Sequence, residues 1–141
     1  MTIKLVNYLN FGGNCATAFK YYERVLNGKM LMMMTHGDMP AQDQAQVPPD
    51  WKKLIMHARL AIGDQLLMGS DSPPDRFEKP QGMWVALQLD DPKDADRIFA
   101  ALADNGNIHM PIQKTFWAVR FGMVIDQFGI PWMVNCEPKQ N

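Results

Sequence analysis

His57, Arg59 and Arg120 are the side chains of this sequence best suited to chemistry, and all three fall in alternating apolar strands. An imidazole on a core strand can serve as a general base or as an orienting hydrogen-bond donor, because its charge changes near neutral pH. A guanidinium offers a planar fork that grips a carboxylate or phosphate through two hydrogen bonds. Each has a plainer reading as well: His57 as a structural histidine bonded to Ser70, the arginines as partners of internal aspartates or as rim residues. Asp71 and Asp126 flank turns, where a short carboxylate more often caps local backbone than does chemistry. His36 and His109 lie in a loop and an edge segment, and no role is assigned to them.

Two hairpins must position these groups. Leu54 to Ile62 and Gln65 to Ser70 flank Gly63-Asp64, a two-residue hairpin signal. Pairing Ile62 with Gln65 sets His57 opposite Ser70 and Arg59 opposite Met68. Thr115 to Asn135 reads as a second hairpin, turning at Asp126-Gln127-Phe128-Gly129. Trp117, Val119, Phe121, Met123 and Ile125 form one side, expected in the core; Ala118, Arg120, Gly122 and Val124 form the other, expected to line a cleft. If Ile125 pairs with Ile130, Gly122 faces Met133 and Arg120 faces Asn135. Trp117 and Trp132 are then core anchors.

The elements around the hairpins repeat. Ile3 to Phe11 alternates as a strand and ends at Gly12-Gly13; Asn14 can cap the helix that follows. That helix carries Cys15, Ala18, Phe19, Tyr22, Val25 and Leu26 on one stripe and stops at Asn27-Gly28, the left-handed helix-end signal. Lys29 to Thr35 is a methionine-rich strand, and His36 to Trp51 has no periodicity and reads as a long loop that could cover a site. From Met83 the order begins again: strand, a helix opened by Asp91-Pro92 with Ala95, Ile98, Phe99, Leu102 and Ala103 on one stripe, an Asn105-Gly106 stop, a strand, then the second hairpin. Ala18, Tyr22, Val25 and Leu26 superpose on Ala95, Phe99, Leu102 and Ala103 at a shift of 77, and the Asn-Gly stops at 78. This is a tandem duplication. The fold class expected is α+β, two tandem βαβββ modules, 1–74 and 82–141 with a linker at 75–81. Side by side they would form a curved mixed sheet, an open half-barrel with helices outside and a cleft inside.

Bulk properties set limits. Hydrophobic residues make up 47% and charged residues 21% of 141, ordinary for one compact globular domain. A net charge of −1 with no basic run excludes a nucleic-acid footprint. No apolar stretch reaches the ~20 residues needed to cross a bilayer, so no membrane partner is expected. MTIKLVNYLNF lacks the apolar run and cleavage site of a signal peptide, so the expected location is cytoplasmic. Cys15 and Cys136 fit no metal spacing. Cys15 opens a helix, whose dipole can lower a thiol pKa, but sits on its apolar stripe, and a small buried hydrophobe is the reading taken.

The layout resembles the vicinal-oxygen-chelate superfamily of glyoxalase I, extradiol dioxygenases and bleomycin-resistance proteins. The stretches NFGGNCATAFKYYERVLNG, IMHARLAIGDQLLMGSD, TFWAVRFGMVIDQFGIPWMVN and GDMP are similar, more narrowly, to the PhnB group, also described as 3-demethylubiquinone 3-methyltransferase-like. The resemblance implies a divalent metal held by His and Glu on the first and last strands of each module. It also implies a homodimer. Counting from the quoted motifs puts Asn7, Met68, Trp84 and Met133 at those positions, and amide, thioether and indole groups do not hold a hard or borderline ion. No metal or other cofactor is therefore expected.

The cleft expected holds His57 as candidate catalytic residue, with Asn7, Arg59, Met68, Ser70, Trp84, Arg120, Met133 and Asn135 as candidate pocket residues. Apolar walls with a few orienting polar groups suit a small, partly apolar or anionic metabolite. Two other readings stand beside simple binding. One is an enzyme of lyase, isomerase or dioxygenase type, through a relocated metal or through His57 acid–base chemistry. The other is a methyltransferase, ranked last because no glycine-rich turn for a nucleotide-like cofactor follows any strand.

Overall fold

A computed structural model describes residues 1–44 and 46–139; Ala45, within the expected loop, and Gln140 and Asn141 lie outside the described residues. The chain divides into two compact units, Met1–Glu78 and Lys79–Asn141. Each is built as βαβββ around its own mixed sheet of four strands.

In the first unit the elements are β1 (Asn7–Phe11), α1 (Cys15–Val25), β2 (Lys29–Thr35), α2 (Ala41–Gln44), β3 (Ile55–Ile62) and β4 (Gln65–Asp71). The sheet order is β1-β4-β3-β2, with β1 parallel to β4 and the other pairs antiparallel. Helix α1 covers one face. Its Cys15, Ala18, Phe19 and Tyr22 have no exposed surface and meet the buried Leu9, Phe11, Ala58, Leu60 and Leu67. Each of the larger side chains contributes about 1.5–3 kcal/mol by leaving water. Gly69 is what lets the helix sit so close: a Cβ there would stand 2.7 Å from the Phe19 ring.

Strand β1 is shorter than its alternation suggests. It starts at Asn7, paired with Leu67, and upstream of that pair only Gln65 and Leu66 of β4 remain before the turn. Ile3, beyond the reach of β4, and Leu5, level with its first residue, are both exposed. The expected loop after β2 contains short helical turns at His36–Asp38, Ala41–Gln44 and Pro49–Trp51. It is pinned to itself: Gln44 Nε2 donates to the carbonyls of Gly37 and Met39, and the Gly37 N–H to that of Lys52.

The second unit repeats the plan with β5 (Val85–Gln88), α3 (Pro92–Ala103), β6 (Asn107–Gln113), β7 (Arg120–Ile125) and β8 (Pro131–Cys136), in the order β5-β8-β7-β6. Pro92 opens α3 and the Asp91 carboxylate accepts from the Lys93 N–H, 2.9 Å, as the helix cap. At both helix ends the left-handed residue is the asparagine, Asn27 at φ 52 and Asn105 at φ 56. The glycine serves another need. A Cβ on Gly28 would stand 2.7 Å from the Ala61 carbonyl oxygen, and one on Gly106 2.5 Å from that of Ile125.

The second hairpin departs from the register expected. Ile125 pairs with Pro131 rather than Ile130, so Met123 pairs with Met133 and Phe121 with Asn135. The cause is the loop 126–130. The Asp126 carboxylate accepts from the Phe128 and Ile130 N–H groups, and its own N–H donates to the Ile130 carbonyl. That holds Ile130 inside the loop, where Gly129 takes φ 89. A register slip of one residue exchanges the two faces of a strand. Gly122 and Val124 accordingly lie under α3, with a Gly122 Cβ placed 2.6 Å from the Phe99 ring, while Phe121, Met123 and Ile125 turn to the other face.

Candidate functional site

Each sheet has one face under its helix and one face free of it. In a paired sheet, residues directly opposite share a face and alternate along the strand. On the first sheet the free face therefore carries Tyr8, Asn10, Met68, Ser70, His57, Arg59, Met32 and Met34, linked by the pairs Tyr8–Met68, Asn10–Ser70, Arg59–Met68, Met32–Arg59 and Met34–His57.

His57 and Arg59 are thus where the first hairpin was expected to put them, but the partner of His57 is not Ser70. Its Nδ1 lies 3.2 Å from the Tyr8 hydroxyl, and the two rings stack at 20° with centroids 5.8 Å apart, reaching across β4. Ser70 instead donates to Asn10 Oδ1 at 3.3 Å. Arg59 makes no ion pair and no hydrogen bond among the described residues, and its Nε is buried without a partner. A half-buried cation flanked by Met32 and Met68 and lacking a counter-charge is an open electrostatic demand.

Two expectations fail on strand parity, and a third, for Trp117, fails because β7 begins only at Arg120. Asn7 shares the face of Leu9 and Phe11, because it pairs with Leu67, and is exposed at the edge of the helix side. Tyr8 takes the place proposed for it; the alternation in NYLNF, with Leu9 and Phe11 buried, contained that signal. Arg120 is on the α3 side, where its Nε donates to Asp96 Oδ1 at 2.7 Å. Its flip follows from the register of β7 on β8. Trp117 is 42% exposed and stacks edge-on with Phe116 and Phe121, whereas Trp132 is a core anchor whose Nε1 donates to the Asp126 carboxylate at 2.8 Å.

On the second sheet the free face carries Met133 beside Ala86 and Met123, and Asn135 beside Gln88 and Phe121. Asn135 is buried and its Nδ2 donates to Gln88 Oε1 at 2.9 Å, while its Oδ1 has no partner among the described residues. Trp84 precedes β5 and packs edge-on to His109 of β6, ring centroids 5.3 Å apart. Sequence reasoning gave His109 no role.

The two free faces can be compared position by position through the duplication. The bridge between Asn10 and Ser70 recurs as the bridge between Gln88 and Asn135, and Met68 recurs as Met133. Tyr8, His57 and Arg59 do not recur: Ala86, Phe121 and Met123 hold the matching places. The polar, cationic group belongs to the first unit alone.

Two other groups that sequence could cast as reactive are structural. The Asp71 carboxylate accepts from the N–H groups of Gly13, Cys15 and Ile55, at 3.0, 3.0 and 2.8 Å. It fills the amino end of α1, after the one Gly-Gly turn between a strand and a helix, so those amides are not free for a phosphate. Cys15 is buried there, and its thiol pKa is pushed up, first by burial and then by the Asp71 charge. The free-face residues of the first and last strands of both units are Tyr8, Asn10, Met68, Ser70, Ala86, Gln88, Met133 and Asn135. None is an imidazole or carboxylate, and among the described residues no three His, Cys, Asp or Glu side chains converge. That donor set does not fit a hard or borderline divalent ion.

Comparison with known proteins agrees with this architecture. The chain is 39% identical to protein YjdN of Escherichia coli (strain K12) over 139 residues, 94% of this chain and 95% of that protein. The crystal structure of protein PA1353 from Pseudomonas aeruginosa is 44% identical, covers 98% of this chain and 100% of its own, and superposes with a TM-score of 0.88. A Bacillus cereus PhnB protein, named for a 3-demethylubiquinone-9 3-methyltransferase, has the same fold at 20% identity and TM-score 0.78, covering 95% and 99% of the two chains. Residues 4–134 match the family model of the Glyoxalase/Bleomycin resistance protein/Dioxygenase superfamily, and the chain belongs to that superfamily.

Proposed function

We propose that the protein binds a small, partly apolar anionic metabolite on the free face of the first sheet, without the divalent metal of its superfamily. The observation that carries this is Arg59, a half-buried guanidinium with no ion pair or side-chain hydrogen bond among the described residues, paired on its strand face with Met32 and Met68. An anion would supply the missing charge, and the methionines would adapt to the shape of its apolar part. Met68, Ser70 and His57 share this face, and Met133, Asn135 and Trp84 belong to the corresponding surface of the second unit. The proposal places the protein in the cytoplasm, and takes it to be a homodimer by likeness to its superfamily.

Thermal melts with small carboxylates and with inorganic phosphate test the proposal. A ligand at a hundred times its Kd should add about 2.7 kcal/mol of stability. That is a shift of several degrees at this chain length. Arg59→Met should abolish the shift, and zinc, nickel or manganese should produce none. A stoichiometric metal that raises the melting temperature would overturn the metal-free part; no response to any anion would overturn the site.

A second reading rests on the bond between Tyr8 and His57. With Nδ1 held by a phenol, Nε2 is the nitrogen left to exchange a proton with a bound ligand, as a general acid or base requires. The methyltransferase reading gains nothing, since likeness to the Bacillus protein shows the fold and the amino end of α1 is filled by Asp71.

A further inference from the structure

Tyr8 and His57 form a hydrogen-bonded, stacked pair on the same face as Arg59, and His57 lies two residues from Arg59 along β3. Two residues of strand separate side chains by about 6–7 Å. A ligand oxygen on each group, ~3 Å from its donor, would leave the two oxygens a few ångströms apart, as on neighbouring or next-but-one carbons. We propose that the Tyr8–His57 pair is the specificity-determining contact of the Arg59 site, and that it selects acids bearing a second hydrogen-bonding oxygen, hydroxy acids or oxo acids, over plain carboxylates. This rests on the anion-binding reading above and names its ligand class.

Three observations converge on the pair. Tyr8 is 50% exposed, so its ring is held over His57 by that contact and not by a core around it. The Nδ1 bond fixes the imidazole plane and leaves Nε2 for the ligand. The other polar side chains of the face, Asn10 and Ser70, are engaged with each other. The matching places in the second unit, Ala86, Phe121 and Met123, keep none of this chemistry, so duplication alone did not preserve it. Tyr8 acts through His57 and is a positioning residue; His57 touches the second oxygen.

Butyrate, 2-hydroxybutyrate and 2-oxobutyrate are the probes, with affinities measured by calorimetry on the full chain and its variants. The intact protein should bind the two substituted acids about tenfold more tightly than butyrate, the worth of one good hydrogen bond. His57→Gln and His57→Phe should remove that preference, lowering affinity for the two substituted acids about tenfold more than for butyrate, and Tyr8→Phe should reduce the preference about threefold. Arg59→Met should weaken all three probes alike. Melting curves of each variant keep a folding defect separate, and the two His57 substitutions guard against one failing to fold. If all three acids bind but equally, or if His57→Gln lowers every affinity by the same factor, this inference is overturned and the Arg59 site survives. If no acid binds, the Arg59 site falls with it.

Discussion

Asp71 joins three separated pieces of chain with one carboxylate, accepting from Gly13, Cys15 and Ile55. Removing it strands three buried or half-buried donors, each costing about 1–3 kcal/mol unpaired. Asp71→Ala is therefore expected to lose roughly 3 kcal/mol or more, read as a lower urea midpoint with the slope unchanged. Cys15 gives a second residue-scale prediction. Its thiol titrates higher in the native chain than the ordinary value of 9.0, so the unfolded chain loses that proton first. The stabilisation is complete below about pH 9 and is lost as pH rises above it. Cys136 is shifted the same way, by burial and by nearby Asp91, Asp90 and Asp96. Unfolding free energy should fall above pH 9, and Cys15→Ala should flatten much of that decline. A slope unchanged by the substitution would refute the assignment. At this scale the sequence is informative where chemistry is local, as with Asp126, which closes its own loop. It does not reveal Asp71, expected to cap nearby backbone but bonded to distant segments, or Tyr8, whose role depends on a strand partner far away in the chain.

At the scale of elements, the helices, the methionine-rich strand and the first hairpin follow from periodicity and turn chemistry, and the pairing of Ile62 with Gln65 from a two-residue turn. The second hairpin did not yield to the same reasoning. Its loop is closed by side-chain bonds from Asp126, and nothing in the alternation of either strand distinguishes a four-residue turn from a five-residue one. The Asn-Gly stops were legible as helix ends, but the close approach that requires the glycine comes from the strand behind it. Gly28→Ala and Gly106→Ala would each drive a Cβ against a backbone carbonyl that cannot swing away. Both should cost about 1–3 kcal/mol, and by similar amounts, since the positions are duplicates. A melting temperature unmoved in either variant would contradict the packing described.

For the whole molecule, duplication was the clearest message of the sequence and the two sheets share one strand order. What the duplication conceals is divergence of the free faces, visible only once register assigns each residue a side. The free faces of the first and last strands carry thioether, amide, hydroxyl and methyl groups, with Tyr8 rather than Asn7 on β1 and Ala86 rather than Trp84 on β5. The association state belongs to this scale as well. Light scattering should return twice the chain mass, and a value equal to one chain would remove the dimer from the proposal.

The loop 126–130 has a consequence for how such chains can change over time. It sets which side of β7 meets α3, so a one-residue insertion or deletion would bring Phe121 and Met123 under the helix and send Gly122 and Val124 outward. Drift in this loop should therefore be discontinuous among descendants of the chain. Length changes of two residues, or of one offset by a bulge, would survive, and single-residue changes would be purged. Arg120 and its bond to Asp96 would serve as a marker of which lineages kept the present count.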